Sequence, residues 1–124
     1  RKESSAASDV YKRQESTSKE LEAAKKSKNI MIDMSHGNSK KQFKRQLIVN
    51  KDISDQISSG ENRIFGVMIE SHLEEGNQKI GPLEEIKYGQ SITDACVGWN
   101  DTEIMINQLS TAIENKRKKL HKSA

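Results

Sequence analysis

Two short apolar segments of this chain each run into residues that can hold a proton or a metal. Ile30-Met-Ile-Asp-Met-Ser35 leads into His36, and Ile64-Phe-Gly-Val-Met-Ile69 leads into Glu70-Ser71-His72. A third candidate, Asp94, stands in Ser91-Ile-Thr-Asp94. If the two segments are parallel strands, these residues lie at their carboxyl ends, where α/β barrels and open α/β sheets build active sites. One imidazole and two carboxylates suit a divalent transition metal, and ligand type alone does not choose among Mn, Fe, Co and Zn. A plainer reading stays open. A lone His after a strand is also a common turn residue, Glu70 could be an ion-pair partner and Asp94 a local cap. The spacings of 34 and 24 residues match no compact metal motif. His72 is read as a residue that orients a ligand or serves the structure.

Other candidates are weaker. Cys96, the single cysteine, excludes an intrachain disulfide scaffold and sits among Ala95, Val97 and Trp99. Those neighbours suit a buried, inert thiol better than a nucleophile. Trp99 is expected to pack the last helix against a strand. Lys40, Lys41, Lys44 and Arg45 form one basic patch, and Lys116 to Lys119 another. Nucleic-acid binding would want interleaved aromatics, and only Phe43 is near, so solvated helix faces are expected and no nucleic-acid partner. No glycine-rich phosphate-binding fingerprint is present.

The elements that must position these residues follow from periodicity. The two apolar segments read as buried parallel strands. Between them, Phe43, Leu47, Ile48, Ile53 and Ile57 fall on one face of a helix expected over 40–59, with Asn38 or Ser39 as N-cap and Gly60 as the residue after its C-cap. Strand, helix and strand make a βαβ unit. From Glu70 to Asn100 runs a long polar connection, of the sort that is usually functional. A last helix is expected over about 102–118, opened by a capping box from Asn100 to Glu103. Its buried stripe would be Ile104, Met105, Leu109, Ala112 and Ile113, and its cationic last turn suits the helix dipole.

Composition sets the outer bounds. Of 124 residues, 32% are apolar and 4% aromatic, which is thin for a self-sufficient core. No apolar run reaches the roughly 18 residues of a membrane span, so no membrane partner is expected and a cytoplasmic location is the default. The formal charge is +3. Arg1, Lys2, Lys12 and Arg13 against Glu3 and Asp9 put much of that excess in residues 1–14. The polar start, to about Lys28, reads as disordered apart from a short helix near 18–26. Within it, Ser4-Ser-Ala-Ala-Ser-Asp-Val-Tyr-Lys-Arg-Gln14 resembles a translated adapter sequence, which would leave 15–124 as the protein proper. Two parallel strands leave both sheet edges unpaired, so the chain is expected to be the C-terminal part of a larger α/β protein.

Three motifs carry a family resemblance. Ile30-Met-Ile-Asp-Met-Ser-His-Gly-Asn-Ser-Lys-Lys-Gln42 comes first. Gly66-Val-Met-Ile-Glu-Ser-His-Leu73 with Glu75-Gly-Asn-Gln78 follows, then Tyr88-Gly-Gln-Ser-Ile-Thr-Asp-Ala-Cys-Val-Gly-Trp99. In order, spacing and local sequence, from about Ser18 onward, the chain resembles the C-terminal part of type I 3-deoxy-7-phosphoheptulonate synthase. That resemblance implies the seventh and eighth strands of a (β/α)8 barrel and a subunit of a homo-oligomer. It implies condensation of phosphoenolpyruvate with erythrose 4-phosphate, the first step of the shikimate pathway toward aromatic amino acids. It implies a divalent metal held by a Cys, His36, Glu70 and Asp94, with His36 also close to phosphoenolpyruvate. The family's metal Cys lies far upstream of these motifs, and Cys96 is not its counterpart. The Arg and Lys residues that clamp the substrate phosphates, and the site of feedback by an aromatic amino acid, are upstream too. The isolated chain is therefore expected to bind metal weakly and to lack synthase activity. The alternatives are a related phosphoenolpyruvate-using sugar acid synthase on the same barrel, which the Gly-Asn-Gln and Ser-Ile-Thr-Asp-Ala-Cys motifs oppose, and a non-catalytic basic binding module.

Overall fold

The structure, a computed structural model, describes residues 2–39 and 42–123, with side chains described in 10–39 and 42–122. Helix α1 (Lys2–Ala23) leads to strand β1 (Ile30–Asp33). A 3-10 turn (Phe43–Arg45) opens helix α2 (Gln46–Ser58), and strand β2 (Ile64–Met68) follows. The segment before the last helix holds strands β3 (Glu74–Asn77) and β4 (Gln90–Ser91), and helix α3 (Trp99–Ser123) completes the order.

β1 and β2 pair in parallel, with Ile32 opposite Val67 and Asp33 opposite Met68. The expected βαβ unit is present, and α2 is its crossover. The register slips by one between Ile30 and Met31, so Phe65 is an extra residue on β2. Alternation sends Ile32 and Met34 inward and Met31 outward. α2 covers the inner face with Gln46, Val49, Asn50, Ile53, Ser54 and Ile57, a stripe at helical spacing. α3 closes the layer with Met105 and Ala112, joined by Val97 from the preceding loop. The far face is bare: Met31 is 56% and Phe65 68% exposed.

Several sequence expectations change. α1 is helical from Lys2, where disorder was expected. Val10, Gln14 and Ser18 are buried at intervals of four, but two of the three are polar, so no apolar stripe marks the helix. No Gly or Pro interrupts it. Asn38 and Ser39 cap no helix; they close the turn after β1, Asn38 Nδ2 donating to Asp33 O at 2.6 Å and Ser39 Oγ to His36 O at 3.3 Å. Gly60 fulfils its expected role. With φ at +111°, its N–H bonds Ile57 O and the Glu61 N–H bonds Gln56 O, a Schellman end. α3 begins at Trp99, so Asn100 lies inside the helix and forms no capping box; Gly98 O accepts the first helical bond, from the Thr102 N–H. Trp99 is half exposed rather than packed on a strand, and Ile104 also faces outward. Among the described residues no helix is long and apolar enough to cross a membrane.

Candidate metal centre

β1 ends at Asp33, and its chain turns sharply at Ser35-His36. His36 adopts φ +49°, a left-handed conformation that costs a non-glycine residue energy and is held here by its surroundings. The turn is built on the Asp33 carboxylate. Its Oδ1 accepts the Ser35 N–H at 2.8 Å and the Ser35 Oγ–H at 2.6 Å. Its Oδ2 lies 2.9 Å from His36 Nδ1. Ser35 Oγ also lies 2.9 Å from Nδ1, and its own proton is committed to Asp33. Both neighbours of Nδ1 are therefore acceptors, and Nδ1 carries the ring hydrogen.

That assignment leaves Nε2 as the electron-pair donor of the neutral ring. Glu70 Oε1 stands 3.0 Å from it and Asp94 Oδ2 3.3 Å. Three electron-pair donors thus converge, and they repel one another unless a cation sits among them: a proton on His36 or a metal ion. Among the described residues His36, Glu70 and Asp94 form the group able to hold a metal, with donor atoms all within 4.8 Å of one another. Adjacent donors bound at about 2.0–2.2 Å to one ion lie roughly 3.0–3.5 Å apart, so the His36 contacts fit coordination. The orientation of an imidazole by a carboxylate on its other nitrogen is the usual arrangement of a metal-bound His. The donor set fits a divalent transition metal.

The electrostatics agree. The His36 pKa is raised above 6.5 by its hydrogen bonds to Asp33 and Asp94 and by the Glu70 charge. Burial raises Glu70 above its ordinary value, and the Asp94 carboxylate adds to the rise while His36 opposes it. Burial also pushes Asp33 up, but hydrogen bonds from Ser35 and His36 outweigh it and its pKa falls below 3.8. A cavity of about 320 Å³ opens beside the three donors, lined also by Ser39, Phe43, Asn77 and Ala95.

The structure brings His36, Glu70 and Asp94 together. His72 stays apart: its Nδ1 accepts the N–H of Leu73 at 2.8 Å, a local contact, and Asp33 takes the orienting role. Asp33 stands within the first motif, but its function shows only once the turn is seen. Cys96 is buried with its Sγ on Asp94 O at 3.4 Å, and its thiol pKa is raised by burial and the Glu70 charge, as suits an unreactive thiol. Of the basic patches, Lys40 and Lys41 lie outside the described residues. Lys44 pairs with Glu75 at 3.1 Å and Lys116 donates to Glu61 O at 2.9 Å.

The fold and the site define a parallel α/β protein with a His–Glu–Asp group able to hold a metal at the carboxyl ends of its strands. Residues 6–107 match the model of the DAHP synthetase I family, and the chain belongs to that family. It is 53% identical over 88 residues to the Phe-sensitive phospho-2-dehydro-3-deoxyheptonate aldolase of Escherichia coli K12, covering 71% of this chain and 25% of that protein. It is 50% identical over 115 residues to the phenylalanine-inhibited phospho-2-dehydro-3-deoxyheptonate aldolase of Saccharomyces cerevisiae, covering 87% of this chain and 31% of that protein. A solved phospho-2-dehydro-3-deoxyheptonate aldolase structure from Francisella tularensis superposes with a TM-score of 0.67 at 46% identity, covering 71% of this chain and 25% of the other. The chain thus spans about a quarter to a third of the length of these relatives.

Proposed function

We propose that this chain supplies the metal-binding part of a 3-deoxy-7-phosphoheptulonate synthase active site. The reaction joins phosphoenolpyruvate and erythrose 4-phosphate, consumes water, and yields 3-deoxy-D-arabino-heptulosonate 7-phosphate and inorganic phosphate. The observation that carries this reading is the convergence of His36, Glu70 and Asp94 at the strand ends in a chain of this family.

When bound, a divalent ion supplies Lewis-acid polarisation of the erythrose 4-phosphate aldehyde. His36 offers Nε2, with Nδ1 held by Asp33 so that the ring keeps its orientation. Glu70 and Asp94 offer carboxylate oxygens, and the adjoining cavity gives a substrate room beside them. β1 and β2 take the places of the seventh and eighth strands of a (β/α)8 barrel. The bare face carrying Met31 and Phe65 would then look into the barrel, where further strands cover it. The complete enzyme is proposed to be a cytoplasmic homo-oligomer. Alone, the 124 residues hold neither the family's metal Cys nor its phosphate-clamping Arg and Lys, so they give no turnover.

A chimaera tests this reading. Residues 18–124 replace the homologous segment of the Escherichia coli Phe-sensitive enzyme, so that α3 is kept whole, and phosphate release is followed with both substrates and Mn2+. Activity that disappears on His36→Ala supports the reading. A folded chimaera without activity, or turnover by the isolated chain, overturns it.

A further inference from the structure

We propose that Gln46 is a positioning residue for the metal centre: its side-chain amide takes the place of a strand partner for Glu70 and fixes that carboxylate beside His36. This rests on the metal reading above.

The need for such a residue comes from the turn that delivers His36. In a parallel ladder, alternate residues turn their N–H and C=O to the same edge. Met68, Glu70 and His72 share one edge. Met68 O is bonded by the Met34 N–H at 2.9 Å, the last ladder bond from the β1 side. A continued β1 would present Met34 O to the Glu70 N–H and the residue-36 N–H to Glu70 O. Instead the chain swings away at Ser35, with His36 left-handed, and the edge resumes only where Val97 bonds Glu70 O and the His72 N–H, both at 3.0 Å. Gln46 stands in the gap. Its Oε1 accepts the Glu70 N–H at 3.0 Å in place of the missing β1 carbonyl, and its Nε2 donates to Glu70 O at 3.0 Å, sharing that oxygen with the Val97 N–H.

The side chain is fully buried and both ends of its amide go to Glu70. An unpaired peptide N–H here would cost the full desolvation of that group. Gln46 is also the first residue of α2, whose next turn is tied to α3 by Asn50, donating to Met105 O at 3.2 Å and Gln108 Oε1 at 2.8 Å. That tie holds the helix pair together and makes no contact with Glu70, whereas Gln46 holds the Glu70 backbone itself, from which the carboxylate reaches His36 Nε2. Gln suits the place because no other side chain of that length offers a neutral donor and a neutral acceptor side by side.

The test compares Gln46→Met, which keeps the length and loses both bonds, with Asn50→Leu, a loss of similar buried hydrogen bonding one turn away from the site. Co2+ affinity of the 124-residue chain is read from its visible spectrum, and Tm from circular dichroism. Gln46→Met is expected to weaken Co2+ binding by about 10–100-fold. Asn50→Leu is expected to lower Tm to a similar degree and leave Co2+ affinity unchanged. If Gln46→Met does not fold, Gln46→Asn, one methylene too short to bridge both groups, is expected to show the same selective loss. Unchanged affinity in the folded Gln46 variants, or an equal loss in Asn50→Leu, overturns the positioning role while the metal reading stands. An unsubstituted chain that binds no Co2+ overturns both.

Discussion

Asp33→Asn exchanges a single carboxylate oxygen for an amide nitrogen, and the geometry fixes which one. The Ser35 backbone N–H, 2.8 Å from Asp33 Oδ1, can only donate, so the amide oxygen must remain at that position. The new NH2 group then faces His36 Nδ1 from the place of Oδ2, at the present 2.9 Å. It donates, so Nδ1 must accept and the ring hydrogen moves to Nε2. That is the atom facing Glu70 at 3.0 Å and Asp94 at 3.3 Å, and a hydrogen there excludes coordination. Loss of an orienting partner costs metal affinity about 10–100-fold. At about 1.4 kcal/mol per tenfold, this is roughly 1.4–2.8 kcal/mol. Asp33→Ala removes the carboxylate without imposing the wrong tautomer, so it should cost less than Asp33→Asn. Co2+ titration gives the affinities, and long-range 15N correlation spectra of the metal-free chain report which ring nitrogen is protonated. Wild-type affinity with a retained Nδ1–H tautomer in Asp33→Asn, or a greater loss in Asp33→Ala, would refute the reasoning.

Three further outcomes follow from the same geometry. Because the folded-state pKa of His36 is raised above 6.5, its protonated ring stabilises the metal-free fold fully below 6.5. That contribution is lost as pH rises through the folded value, and Co2+ affinity should climb over the same interval; an affinity flat across it contradicts the role of His36. His72→Ala should leave Co2+ affinity unchanged, because the His72 ring contacts its neighbour Leu73 and its one long-range bond, to Val97 O, is made by the backbone; a clear loss in the same titration would return it to the site. Ile53, a fully buried α2 residue in the common core, should cost about 2–5 kcal/mol on replacement by Ala, measured by urea unfolding. A cost under about 1 kcal/mol would mean that this core is not packed as described.

The βαβ unit was legible because Ile30–Asp33 and Ile64–Met68 are short, apolar and separated by a helix-period pattern. The Gly60 terminus was legible because only a positive-φ residue suits it. α1 was not, since its buried stripe runs through Gln14 and Ser18, and periodicity of apolar residues cannot register polar ones. β3 and β4 were hidden for a related reason. Glu74–Asn77 and Gln90–Ser91 contain no apolar alternation and are held by side-chain amides, as where Gln78 brackets Lys87 and Gln90 donates to Glu75 O. At the site, the ligand types could be read but not the shell around them. Asp33 orients His36 through a turn that depends on a left-handed residue, and Gln46 reaches Glu70 across 24 residues of chain. Neither relation leaves a local pattern in sequence.

Anomalous diffraction at the cobalt edge, from crystals of the 124-residue chain grown with Co2+, tests the metal centre most directly. The expected result is one ion about 2.0–2.2 Å from His36 Nε2 and from a carboxylate oxygen each of Glu70 and Asp94, with Asp33 still on Nδ1. An ion bound elsewhere, or none at that position in saturated crystals, would contradict the assignment.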